Sequence, residues 1–309
     1  MTDAELAQST GGGRWLRLQS GVYVDRAAYL GLRSADQHRM LILAAMRRTR
    51  DGSAVVSHLS ASVLHGLPQY RFADRPVEVT VAAQVGATSR PGLRRHLDLI
   101  DREDVTSVDG IPCTTLDRTV FDVARTMPLE TSVACADAAL RRESMVARRF
   151  DAVAQEAWRE RLRERAARRP GVRGIRRARW VIEFADGRAE LPGESVSRLQ
   201  LFRLGFRDFH LQVPVPGPRG ADYFVDIGLP EIRTFWEFDG EVKYRDPSMR
   251  GGRSLEQVLI DEKRREDWIR GLTQWRVCRG NFSDVATPEA LAERLGAFGV
   301  LTGAKRASR

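Results

Sequence analysis

Cysteine is scarce, and its placement excludes two kinds of stabilisation. Cys113, Cys135 and Cys278 are odd in number, far apart and in no C-x-x-C pair, so neither a disulfide framework nor a zinc knuckle is expected. All three read as small buried hydrophobes. The five histidines (His38, His58, His65, His96 and His210) show no H-E-x-x-H or related spacing, and none is assigned to zinc. Long apolar runs are missing as well: the longest, Met40 to Met46, is far short of the ~20 residues that a membrane-spanning helix needs. No membrane association is expected. Asp3 and Glu5 stand where a secretory signal carries basic residues, and no apolar h-region follows, so the expected location is cytoplasmic.

Positive charge is abundant and unevenly placed. From Arg141 to Trp180 fourteen arginines stand against five acids, which accounts for the whole net charge of +9. Two readings stay open for this segment. Its arginines contact phosphate, in which case Arg161, Arg163, Arg168 and Arg169 are the nucleic-acid-binding candidates. Alternatively it is a solvated helix whose Glu160/Arg163 and Glu164/Arg168 pairs partly neutralise each other.

A length of 309 residues suits two domains. Residues 1–13 read as a frayed tail, and Arg14 to Val24 as a hairpin turning at Ser20-Gly21. Helices are expected over 36–50, 57–65, 115–126 and 129–142, with a strand over 77–82. The segment 143–169 is helical and basic until Arg169-Pro170-Gly171 breaks it, and a further helix covers 172–185. The division expected is therefore 1–142, a basic helical linker at 143–185, and 186–300, with the halves separable between about 145 and 170. The fold class is α/β (α+β).

The chemistry-bearing residues lie in the last third. Pro192-Gly193-Glu194-Ser195 opens a helix, with Glu194 in its first turn. ADYFVDIGL (221–229) reads as a strand containing Asp226, and RTFWEFDG (233–240) as its antiparallel neighbour. On the second strand Glu237 and Asp239 leave one face while Trp236 and Phe238 leave the other. Carboxylates gathered on one face repel unless a proton or cation intervenes, and a hard divalent ion wants such oxygens. The competing reading pairs Glu237 and Asp239 with nearby Arg or Lys on an exposed sheet face. A last helix starts at a Ser254-x-x-Gln257 capping box, buries Leu255, Val258, Leu259, Ile269 and Leu272, and ends at Gly271. Its Lys263 and Arg264 either meet DNA phosphates or pair with neighbouring acids.

Asp226, WEFDGEVKY (236–244), DEKRREDWIRG (261–271) and WRVCR (275–279) together resemble the bacterial nuclease-like family related to very-short-patch mismatch repair endonucleases. The resemblance implies a restriction-endonuclease-like, PD-(D/E)XK fold, a mixed sheet flanked by helices. It matches Glu194 to the helical glutamate, Asp226 to the PD aspartate and Glu237 to the (D/E)XK acid. Asp239 stands in place of the expected lysine, and Lys243 in place of a histidine common in related proteins. The activity implied is Mg²⁺-dependent DNA cleavage, with Mn²⁺ as a substitute. Asp226 and Glu237 then bind metal, with Glu194 and Asp239 beside them and Lys243 orienting the nucleophile.

The first half resembles AbiEi-like antitoxins of type IV toxin–antitoxin systems through Gly21-Val22-Tyr23, VVSHLSASVLHGLP (55–68) and GIPCTTLDRTVFDVAR (110–125). Only about thirteen residues precede the expected wing, so the family's DNA-recognition helix is expected to be missing or truncated. The second functional reading follows: a non-catalytic DNA-binding regulator, partnered by a cognate toxin.

Overall fold

The computed structural model of the chain describes residues 13–47, 54–72, 75–81, 89–147, 149–218, 220–240 and 254–300. It is a mixed α/β protein with mixed sheets flanked by helices. Two units divide it, Met1–Glu143 with Ala152–Ala185, and Ser144–Asp151 with Asp186–Arg309. The segment read as a linker, 143–185, therefore does not stand alone: its helices join the first unit and a short hairpin joins the second. The expected tail, but for residue 13, and Lys243 lie outside the described residues. Among the described residues no helix is long and apolar enough to cross a membrane.

In unit 1, β1 (Trp15–Gln19) and β2 (Val22–Asp25) form the expected hairpin, with Gly21 supplying the positive φ of the turn. Asp25 then caps α1 (Arg26–Leu30), and α2 (Ser34–Met46) follows. Strands β3 (Val55–Val56), β4 (Val77–Val81), β5 (Leu93–Leu97), β6 (Val105–Val108) and β7 (Ile111–Thr114) build one sheet in the order β5-β4-β3-β7-β6. All five residues of β4 are buried, so its polar Glu78 and Thr80 need protein partners. Glu78 accepts the backbone N–H of Leu59 at the start of α3 (His58–Leu64), and Thr80 donates to Ser57. Ile42, Val56, Leu64, Val79 and Cys113 fill the core between sheet and helices.

The remaining helices of unit 1 are α4 (Leu116–Thr126), α5 (Leu129–Ser144), α6 (Ala152–Ala167) and α7 (Ile175–Phe184). The basic helix α6 is not a solvated rod. Trp158, Leu162 and Ala166 recur at helical spacing and are fully buried. Burying these three side chains contributes several kcal/mol by area, enough to hold the helix in the unit.

Unit 2 contains the hairpin of β8 (Met145–Val146) and β9 (Arg149–Phe150), then α8 (Pro192–Arg203), β10 (His210–Pro216), β11 (Asp222–Leu229) and β12 (Thr234–Phe238). After them come α9 (Leu255–Thr273), β13 (Arg276–Gly280) and α10 (Pro288–Ala297). The sheet order is β10-β11-β12-β13, antiparallel except for the last, parallel pair. A parallel neighbour requires a crossover, and α9 supplies it. Strand β10 escapes a sequence reading because Pro214 and Pro216 interrupt it, and an edge strand tolerates both.

Helix α9 differs from expectation in detail. Ser254 accepts the N–H of Gln257, but the Gln257 amide turns to Asp261 instead of closing the box. Ile269 is buried beside Val225, Phe235 and Val277, whereas Leu259 and Leu272 are exposed. The helix runs past Gly271 and ends at Gln274, in the left-handed region at φ 56. A single crossover helix lies on the sheet through one narrow stripe, so residues a quarter turn away stay in solvent.

Candidate functional site

Strict alternation of side chains breaks where β10 and β11 pair, at Gln212 and Asp226, and the site is built there. Leu211 pairs with Ile227 and Val213 with Val225, while Gln212 between them adopts φ 49. Val225 packs with Phe235, yet Ile227, two residues on, pairs with Trp236, which leaves the other face from Phe235. The strands thus bend at Gln212 and Asp226, and both side chains turn into one cleft. The cleft measures about 570 Å³, and Glu190, Gln212, Asp226, Glu237, Asp239 and Arg265 are among its lining residues.

Glu194 reaches the same region from α8. Gly193 makes this possible: a Cβ there would sit 2.1 Å from the ring of Phe238, so only glycine lets the start of α8 rest on β12. Glu194 is 2% exposed and accepts hydrogen bonds from the backbone N–H of Glu190 and the amide of Gln212, at 2.9 and 3.2 Å. Burial, and then the charge of Asp226, push its carboxyl up to about 8. Asp226 accepts the backbone N–H of Phe238 at 2.7 Å, which ties β11 to the end of β12 where the ladder stops.

Glu237 is surrounded differently. The parallel register sets it beside Arg279, whose guanidinium pairs with one carboxylate oxygen at 2.8 Å. Arg265, from α9, pairs with the other at 2.7 Å. Arg279 also reaches Glu262, Glu266 and, at 3.6 Å, Asp239. Burial alone would lower both arginines, but Glu237 and Glu262 outweigh it and hold each guanidinium above its ordinary value. The face carrying Glu237 is accordingly not the exposed one of the competing reading: Glu237 is buried, with its charge answered by arginine.

Donor chemistry decides what a divalent ion finds here. Among the described residues no three His, Cys, Asp or Glu side chains are grouped to hold a metal ion. The Glu194 and Asp226 carboxyls do suit a hard cation, because they are neighbouring oxygen ligands, and burial first and the charge of Asp226 second raise the Glu194 carboxyl above its ordinary value. Glu237 does not suit it as it stands, since guanidinium groups occupy both of its oxygens.

Of the residues singled out from sequence, Glu194, Asp226, Glu237 and Asp239 gather at this end of the sheet. Lys263 and Arg264 are exposed on α9, and Arg264 lines a neighbouring groove with Asp261 and Trp268. The basic candidates of unit 1 are mostly engaged by acids, and Glu160 pairs with Arg163 as the second reading expected. Arg161 pairs with Asp117 and Glu143, Arg163 with Glu156, Glu160 and Glu183, and Arg169 with Asp98. Arg168 alone of the four makes no ion pair among the described residues.

The sequence reading missed Gln212, Arg265 and Arg279. Arg279 becomes visible only through the parallel register with β12. Arg265 lies in the quoted DEKRREDWIRG string, but nothing in the spacing separates it from Lys263 and Arg264.

No protein-family model matches the chain, and no solved structure does. The chain is similar to the uncharacterized protein Rv2248 of Mycobacterium tuberculosis strain H37Rv and the uncharacterized protein MT2308 of strain CDC 1551. Each is 29% identical over 241 residues, covering 72% of this chain and 81% of the relative.

Proposed function

We propose that unit 2 is a divalent-metal-dependent DNA phosphodiesterase of the restriction-endonuclease-like, very-short-patch-repair-like kind, joined to an AbiEi-like regulatory unit. The observation that carries this reading is the Glu194–Asp226 pair: Asp226 lines the cleft, and burial together with the charge of Asp226 pushes the buried Glu194 carboxyl up to about 8. Asp226 and Glu194 would hold Mg²⁺ or Mn²⁺, which would supply charge neutralisation for the phosphodiester and help to activate water. Gln212 and the Glu190 backbone N–H fix the Glu194 carboxyl. Arg265 lines the cleft and is held by Glu237, so a fixed cation is available to a phosphate in a site where the motif's lysine is replaced by Asp239.

Calorimetric titration of Mg²⁺ and Mn²⁺ in two buffers of different ionisation enthalpy tests the pair directly. Binding at pH 7 is expected to release about one proton, since the ligands bind deprotonated. Asp226→Asn is expected to remove metal binding and any plasmid nicking, and to leave DNA binding intact. Wild-type protein that binds neither ion would sink the proposal.

One observation favours the second reading, a non-catalytic DNA-binding regulator with a cognate toxin partner. Glu237, the acid matched to the motif, is saturated by Arg265 and Arg279. Retained DNA binding with no metal uptake is its signature.

A further inference from the structure

The basic segment of unit 1 sorts into two sets of arginines. Arg161 and Arg163 are paired with acids, and Arg177 donates to the backbone carbonyl of Arg125. That inward contact is fixed by Gly174, where a Cβ would lie 2.2 Å from the same carbonyl oxygen. Helix α7 therefore starts tight against α4, with Ala178, Val181 and Ile182 fully buried. Helical geometry then sends Arg176 and Arg179 outward, and Arg173 precedes them by one turn. Arg168, Arg173, Arg176 and Arg179 are all exposed, and none makes an ion pair among the described residues. Glu164, four residues before Arg168, does not pair with it, and Glu183 is held by Arg163.

We propose that Arg168, Arg173, Arg176 and Arg179 form a docking surface on unit 1 for the phosphate backbone of duplex DNA. Unpaired guanidinium groups concentrated over twelve residues keep their full field, and their planar forks match phosphate oxygens. A lipid surface is disfavoured because no large apolar side chain is exposed between residues 154 and 190 among those described. Single-stranded RNA is disfavoured because the nearest aromatic rings, Trp180 and Phe184, stack on each other at 4.6 Å. The choice of DNA among polyanions rests on the phosphodiesterase reading of unit 2, but the surface does not need that cleft to work.

The test is fluorescence anisotropy of a labelled duplex with the full chain in EDTA, across a salt series, so that no metal chemistry contributes. Replacing all four arginines by glutamine is expected to flatten the plot of log K against log salt by roughly 0.9 per lost contact, about 3 to 4 in all. Arg161→Gln with Arg163→Gln, whose charges are already answered, is expected to leave the slope unchanged. An unaltered slope in the fourfold variant, with unchanged circular dichroism, overturns the proposal. So does tighter binding to anionic vesicles or single-stranded RNA than to duplex. Wild-type protein that gives the expected slope in EDTA but nicks no plasmid with Mg²⁺ or Mn²⁺ sinks the phosphodiesterase reading alone.

Discussion

Glu194 is the residue at which the environment most changes the chemistry. Its carboxyl ordinarily titrates near 4.5 and is pushed up to about 8 by burial and by Asp226. The folded protein then binds this proton more tightly than the unfolded chain, so metal-free stability falls as pH rises from about 4.5 to about 8. The loss is on the order of a few kcal/mol. Glu194→Gln is expected to abolish that slope and to raise the melting temperature at pH 8 more than at pH 5, as thermal denaturation in EDTA would record. A variant melting in parallel with wild type at both pH values would show that Glu194 is ionised throughout. The acids of this site were legible in the sequence, because two-residue spacing on a strand and a first-turn position on a helix are local facts. Their partners were not: Arg279 meets Glu237 across a parallel pair closed by a nineteen-residue helix, and Gln212 meets Glu194 through a bend that no pattern announces.

At the scale of elements, α4 carries a buried cation that organises the loops around it. Arg118 is 1% exposed and pairs with Asp98, Asp104 and Asp122 at 3.0, 2.8 and 2.9 Å. Arg165 and Arg169, from α6 and the turn after it, add to Asp104 and Asp98 from outside. Burial alone would raise these two acids, but the arginines outweigh it and hold both below their ordinary range. Arg118→Ala leaves carboxylates buried without their central partner, and a loss of about 3 kcal/mol or more is expected in urea denaturation. Arg163→Ala, on the exposed side of α6, is expected to change stability little. Helices bounded by clear breaks were readable in advance: α3 begins after Ser57, although the Ser57 side chain does not cap it, and α4 and α5 fall within two residues of expectation. The all-buried β4 kept its alternating spelling, so its existence was legible and its interior position in the sheet was not. The role of α6 was misread because arginine decides its charge, while its packing is decided by Trp158, Leu162 and Ala166.

For the whole molecule, the chain path contradicts a cut between 145 and 170. Residues 152–185 belong with unit 1, and the last passage of the chain into unit 2 comes at Asp186. A fragment ending near residue 150 lacks the buried Trp158, Leu162 and Ala166, along with the Arg165 and Arg169 that answer Asp104 and Asp98. It therefore exposes an apolar face on the remaining helices and leaves buried carboxylates short of cations, two of the mechanisms that make large destabilisations. A fragment of residues 1–185 keeps both. It is expected to melt cooperatively with helical circular dichroism, whereas residues 1–150 should give a non-cooperative melt and bind a hydrophobic dye. Equal, cooperative melting of the two fragments would mean that α6 and α7 contribute nothing to unit 1 and that the basic segment is a linker after all.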